Sequence, residues 1–250
     1  MDLFLKNANF QAGNYEKALK ETFLGIDVLL VTENGRKEIQ ELNKESNAMS
    51  TETPSKRGFG GLGDEGPEMK GCTANVVFIK NRTIYTANAG DSRAVLGKKG
   101  KAIDLSVDHK PDNKPELTRI EKAGGSVIEG RVDGNLNLSR ALGDLRYKKD
   151  KKLKPEEQMI SAEPEITKYE ITSDFDFIVI GCDGIYETKS SQEIIDFYTQ
   201  EFKMNPTASS EGMKKSVEKY LDMNISPDYI KTEGAGCDNM SCILIKFKPL

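Results

Sequence analysis

The chain has 250 residues, 37% hydrophobic and 30% charged, and its 36 Lys and Arg against 40 Asp and Glu give a formal net charge of −4. That balance excludes a global basic field for nucleic acid or an anionic membrane, and no apolar run reaches the length of a membrane-spanning helix. Met1-Asp2-Leu3-Phe4-Leu5-Lys6 lacks the basic start and apolar stretch of a signal peptide, and Asp2 stands where myristoylation needs glycine.

The length suits one large domain, 1–250, with a single core. Cys72, Cys182, Cys237 and Cys242 form no CxxC pair, so a reduced intracellular protein, cytoplasmic or nuclear, is expected. The single histidine, His109, excludes histidine-rich metal sites by count. Any metal site must be built from carboxylates, which suit Mg²⁺ or Mn²⁺.

In chain order, Leu19, Phe23, Ile26 and Leu30 form a helical stripe that predicts a helix over 14–31. Gly35 is expected to break it, with a polar helix over 36–45. Residues 49–68, rich in Ser, Thr, Pro and Gly, predict a flexible loop. CTANVVFI, TIYTANA and SRAVLG then read as a meander of strands from Cys72. A short helix is expected over 115–124, between Pro115 and the Gly124-Gly125 pair. SVIEGRV and NLNLSRAL are further strand candidates, and the charge run 147–157 reads as a solvated loop. Residues 175–180 read as a buried strand. Ser190 and Glu193 form a capping box that opens a helix, another helix runs near 210–223, and MSCILIKF is the last strand. Helices grouped between strands argue α+β with antiparallel sheets.

Asp91, Asp183 and Asp238 each sit where an apolar strand meets a turn. In antiparallel sheets the end of one strand and the start of its neighbour share an edge, so the three are candidates to converge. Converging carboxylates beside a dry core repel and lose hydration, and a divalent cation relieves both. Aspartate is also an ordinary turn residue, so position alone leaves both readings open.

Several segments occur together in one order: Gly71-Cys72-Thr73-Ala74, Asn88-Ala89-Gly90-Asp91-Ser92-Arg93-Ala94, Asp108-His109-Lys110-Pro111 and Ala123-Gly124-Gly125. Leu138-Ser139-Arg140-Ala141-Leu142-Gly143-Asp144, Ala162-Glu163-Pro164-Glu165, Cys182-Asp183-Gly184-Ile185-Tyr186-Glu187 and Asp238-Asn239-Met240-Ser241 follow. This ordered set resembles the protein phosphatase 2C family, the PPM-type metal-dependent Ser/Thr phosphatases. The resemblance implies an antiparallel β-sandwich flanked by helices (α/β/β/α), with two Mg²⁺ or Mn²⁺ ions at one end and a third, weaker site. By motif it makes Asp183 and Asp238 metal ligands, associates Asp91 with the third metal, and makes 109–132 a flap beside the site. His109, Ser139 and Arg140 are then structural. The implied substrates are phosphoserine and phosphothreonine proteins, with no nucleic acid or membrane partner.

The chain departs from the family pattern at its N-terminus. The strand with a phosphate-binding arginine, a nearby metal-associated acid and the Asp-Gly-His-Gly segment are not found, and Tyr186 and Glu187 stand where tryptophan and aspartate are usual. The resemblance therefore implies a phosphatase domain missing its first strands, with no catalytic general acid of its own and an uncovered sheet edge or apolar face. The alternative is a catalytically inactive phosphatase-like module that binds phosphoproteins or regulates another phosphatase.

Overall fold

The structure, a computed structural model, describes residues 1–49, 70–205, 209–228 and 230–248. Helices α1 (Asp2–Leu5), α2 (Ala8–Gln11), α3 (Tyr15–Leu30) and α4 (Glu33–Met49) come first. Strands β1 (Gly71–Cys72), β2 (Ala74–Lys80), β3 (Thr83–Ala89), β4 (Arg93–Lys98) and β5 (Lys101–Asp104) follow, then α5 (Lys114–Lys122). After these come β6 (Val127–Ile128), β7 (Arg131–Val132), β8 (Leu142–Gly143), β9 (Glu165–Glu170) and β10 (Phe175–Gly181). Helices α6 (Ser191–Met204) and α7 (Ser210–Asn224) precede the last strand, β11 (Cys242–Lys246). These named strands pair antiparallel throughout, and the class is α+β.

The chain divides into two compact units, one of Thr73–His109 with Glu165–Leu250, the other of Met1–Cys72 with Lys110–Pro164. The first holds a four-stranded sheet, β11-β10-β4-β5, and a three-stranded sheet, β2-β3-β9. Side chains alternate across a strand, and β10 uses both faces. Ile178 and its neighbour Ile180 join Ile84, Ala94 and Leu96 in the core between the sheets. Phe177 and Val179 pack with Ile194, Ile195 and Tyr198 of α6 and Tyr220 of α7. A strand covered on both sides reads as a continuous apolar run, which is why FIVIG is legible without context. Val76 and Ile79 on edge strand β2 and Ile243 on edge strand β11 are exposed.

Helix α6 opens with the expected capping box: Ser190 Oγ accepts from Glu193 N at 3.3 Å, and Glu193 Oε2 accepts from Ser190 N at 2.8 Å. Between β4 and β5, Lys99 and Gly100 take positive φ (49° and 74°), the two-residue turn whose twist suits a hairpin.

In the second unit α3 buries Ala18, Leu19 and Phe23. Asp27 of the same helix accepts from Gly143 N at 2.8 Å and from Lys148 Nζ at 2.6 Å. A separate core gathers Ile120, Val132, Ala141, Tyr147 and Ile160. Beside it lies Glu116, 3% exposed. Its carboxylate accepts from Arg119 Nη1 at 2.5 Å, Ser139 Oγ at 2.8 Å and Arg140 Nη2 at 2.7 Å.

Several expectations need correction. Gly35 lies inside α4 rather than ending a helix: α3 stops at Leu30, and Thr32 Oγ1 accepts from Gly35 N at 3.1 Å. A Cβ at position 35 would stand 2.2 Å from the Leu29 carbonyl oxygen, so the glycine serves close approach. SVIEGRV is the β6-β7 hairpin, because Glu129 and Gly130 turn it with positive φ. NLNLSRAL is not a strand: it makes isolated bridges at Leu136 and Arg140, and only Leu142 enters β8. Ser139 and Arg140 are drawn instead to Glu116. Lys148, at the start of the charge run, is buried against Asp27. Strands β5 and β9, and helices α1 and α2, carry no apolar signal long enough to predict them. In the 49–68 loop, Met49 ends α4 and the remainder lies outside the described residues.

Candidate metal centre

The register of the four-stranded sheet fixes where the candidate aspartates stand. Arg93 at the start of β4, Gly181 at the end of β10 and Cys242 at the start of β11 form one row. Asp91 lies two residues before that row, Asp183 two residues beyond it and Asp238 four residues before it. All three therefore belong to one end of one sheet, with Asp183 and Asp238 on adjacent strands and Asp91 across β10.

Cys182 binds the two outer segments together. Its backbone N–H donates to Ser241 O at 3.3 Å, its thiol donates to Asn239 O at 3.3 Å, and Ser241 N–H donates to its sulfur at 3.2 Å. Gly184 permits the approach, since a Cβ there would stand 2.5 Å from Asn239 O. Each aspartate is steadied by the following amide: Asp183 Oδ1 accepts from Gly184 N at 3.0 Å and Asp238 Oδ1 from Asn239 N at 2.7 Å. Both residues are exposed. Glu187 accepts from Gly236 N at 2.8 Å, which ties the approach to Asp238 to the turn after Asp183.

Asp91 is different: it is 4% exposed and belongs to a turn held from several sides. Asn88 Nδ2 donates to Gly90 O at 3.0 Å and to Val107 O at 2.9 Å. Asn75 Nδ2 reaches Asn88, Ser92 and Ser106, and Thr73 Oγ1 meets Ser92 Oγ at 2.8 Å. Gly90 has φ 121°, and a Cβ there would stand 2.4 Å from the Thr73 side chain. His109, 2% exposed, accepts from Gly90 N at Nδ1 (3.2 Å) and faces Glu165 Oε2 with Nε2 (3.3 Å). The lone histidine thus holds the Asp91 turn.

Arg93 is committed as well. It makes a bidentate pair with Asp108 (3.0 and 2.9 Å) and stacks on Tyr186 at 4.7 Å. The Asp108 pairing holds its guanidinium protonated. Tyr186 reaches the carbonyls of Arg93 and Val179 (3.3 Å each), and burial raises its hydroxyl pKa. Burial likewise pushes the Cys242 thiol up to about 11, which leaves it a packing group rather than a thiolate ligand. Sequence reasoning missed Asn75, Ser106 and the Arg93–Asp108 pair. Thr73, Asn88 and Asp108 lie in the quoted motifs, and that was the available signal.

Among the described residues no three His, Cys, Asp or Glu side chains group as a metal cage. The donor chemistry at this end is two exposed carboxylates with oxygen only. That set fits one hard cation keeping several waters, as Mg²⁺ does, and does not fit a closed protein cage.

The sequence profile described as Protein phosphatase 2C matches residues 3–224. The chain belongs to the protein phosphatase 2C family. It is 47% identical over 244 residues to a "Probable protein phosphatase 2C 5" of Paramecium tetraurelia, covering 98% of this chain and 74% of that protein. It is 50% identical over 181 residues to the human "Protein phosphatase 1G", covering 72% of this chain and 33% of that protein. The fold resembles the serine-threonine phosphatase 2C of Toxoplasma gondii with a TM-score of 0.64 at 17% identity, over 98% of this chain and 77% of that one. The chain is thus a Ser/Thr phosphatase domain of a metal-dependent family, built as an antiparallel sandwich with helices.

Proposed function

We propose that the domain acts on phosphoserine and phosphothreonine proteins, and that Asp183 and Asp238 hold its Mg²⁺ or Mn²⁺, with Asp91 toward a further, weaker ion. The observation that carries this reading is the Cys182 bridge, which fixes the Asp183 and Asp238 turns side by side at one sheet end. A cation there would neutralise phosphoryl oxygens and activate water. The chain's own residues supply position: Cys182 and Glu187 orient the two carboxylate turns, and His109 with Asn88 fixes the Asp91 turn. His109 gives no proton to a leaving group, because it is buried and both ring nitrogens are engaged. Arg93, paired with Asp108, is not offered to a phosphate.

A second reading, a non-catalytic phosphatase-like module, draws support from that same histidine: the 250 residues contain no other. We place either form in a reducing compartment, cytoplasm or nucleus, which the four free cysteines support.

Mn²⁺ titration calorimetry tests the ligand assignment. Asp183→Asn and Asp238→Asn are each expected to weaken Mn²⁺ binding by roughly tenfold or more, since loss even of groups behind the ligands costs 10–100-fold. Both positions are exposed, so the fold should persist. Affinity equal to wild type in both variants would move the site elsewhere.

A further inference from the structure

At the end of the four-stranded sheet opposite the aspartates lies a cavity of about 590 Å³. Strand β10 starts there at Phe175 and ends at Gly181, a span of about 20 Å at roughly 3.3 Å per residue, so the cavity is remote from the metal centre. Its size falls in the range of ligand sites, about 300–1,000 Å³.

Its floor is aromatic. Phe175 and Phe247 lie 6.2 Å apart between ring centroids, and Phe177 and Phe202 lie 5.3 Å apart. Its rim is basic: among the described residues Lys99, Lys203, Lys246 and Lys248 line it, against one acid, Asp176. This local excess runs against the chain's net charge of −4. The one acid is engaged, since Asp176 Oδ2 accepts from Gly100 N at 3.2 Å. Lys99 is placed by the positive-φ hairpin turn, and Lys246 Nζ lies 4.2 Å over the Phe202 ring. Thr199 Oγ1, in the same wall, is buried with no hydrogen-bond partner among the described residues.

We propose that this cavity is a docking site for an acidic protein segment carrying a large apolar side chain, which seats on the phenylalanines while its carboxylates meet the lysine rim. Charge complementarity selects the occupant. A small phosphate ligand is a poorer match, because phosphate sites rely on backbone N–H groups at helix N-termini or glycine-rich nests. Here the Gly100 N–H is already given to Asp176, and α6 presents its C-terminal, carbonyl-bearing turn through Phe202 and Lys203. Lysine ammonium groups are compact and mobile point charges, suited to side-chain carboxylates that arrive without fixed geometry. Such a site would raise the local concentration of a tethered phosphorylated segment at the metal end. It rests on the lysines and phenylalanines alone and stands whether or not the metal assignment holds.

The test is fluorescence anisotropy of a labelled peptide, Glu-Asp-Glu-Phe-Leu-Glu-Asp-Glu, with the full chain. Saturable, salt-sensitive binding is expected. The double variant Lys203→Glu with Lys248→Glu, both at exposed positions, should weaken it by roughly tenfold, and replacing the peptide's Phe and Leu by Ala should weaken it comparably. Amide shift mapping on the wild-type protein guards against a misfolded variant: perturbations are expected at Phe175, Phe202 and Phe247. No saturable binding, equal binding by the charge-reversed chain, shifts confined to other regions, or displacement by inorganic phosphate at equal concentration would each overturn the proposal.

Discussion

With a phosphothreonine peptide in millimolar Mn²⁺, the 250-residue chain is expected to release phosphate near the background rate. The same chain extended by a family-like N-terminal segment containing Asp-Gly-His-Gly is expected to turn over. Phosphoryl transfer is catalysed mainly by positioning and by neutralising charge on the transferred group. The described site offers two exposed carboxylates for a cation and no arginine for the phosphate, since Arg93 is bound by Asp108. The only histidine is sequestered behind the Asp91 turn. A positioned general acid alone contributes roughly 10²–10⁴-fold, and groups that act as a unit do not simply multiply. A difference of at least that size between the two chains is therefore expected. Comparable rates would show that this end of the sheet suffices and that the roles given to Arg93 and His109 are wrong.

Glu116→Gln should produce the largest loss of stability. The native carboxylate is enclosed by Arg119, Arg140 and Ser139. Removing its charge leaves two guanidinium groups, 14% and 16% exposed, facing a neutral amide. Breaking a buried pair of this kind costs about 3–5 kcal/mol, or on the order of 10 °C in melting temperature for a chain of this size. Burial alone would raise the Glu116 pKa, but hydrogen bonds and charge from Arg140 and Arg119 outweigh it and hold it at about 2, below the ordinary 4.5. The contribution is thus present above pH 4.5 and is lost as pH falls from there through 2. Melting curves across that window should show the wild-type protein converging on the variant. A constant gap, or none at neutral pH, would contradict the assignment.

What was legible in the sequence followed from local physics. Strand β10 announced itself because both faces are covered, and α6 because Ser190 and Glu193 cap it reciprocally. Strand β9 was hidden because none of its residues is fully buried, and charged side chains fill half of its six positions. NLNLSRAL misled because Ser139 and Arg140, polar by sequence, are pulled inward by a glutamate far back in the chain. At the site, Asp183 and Asp238 were visible as strand-end aspartates and by motif. The support around Asp91 was not, because Asn75, Ser92 and Ser106 meet only through sheet pairing. The Arg93–Asp108 pair was not legible either, because the two residues lie in separate motifs and meet only once β4 and β5 are folded together.

In the proposed assignment the cation sits where β10 and β11 deliver Asp183 and Asp238. Paramagnetic broadening by substoichiometric Mn²⁺ in an amide spectrum of the full chain reads its location directly. The amides of 182–184 and 238–241 are expected to vanish first, those of 90–93 next, and those around Phe175 and Lys246 at the far end of the same strands last. Broadening that begins at the lysine-rimmed end, or that spreads evenly over the acidic surface, would contradict it.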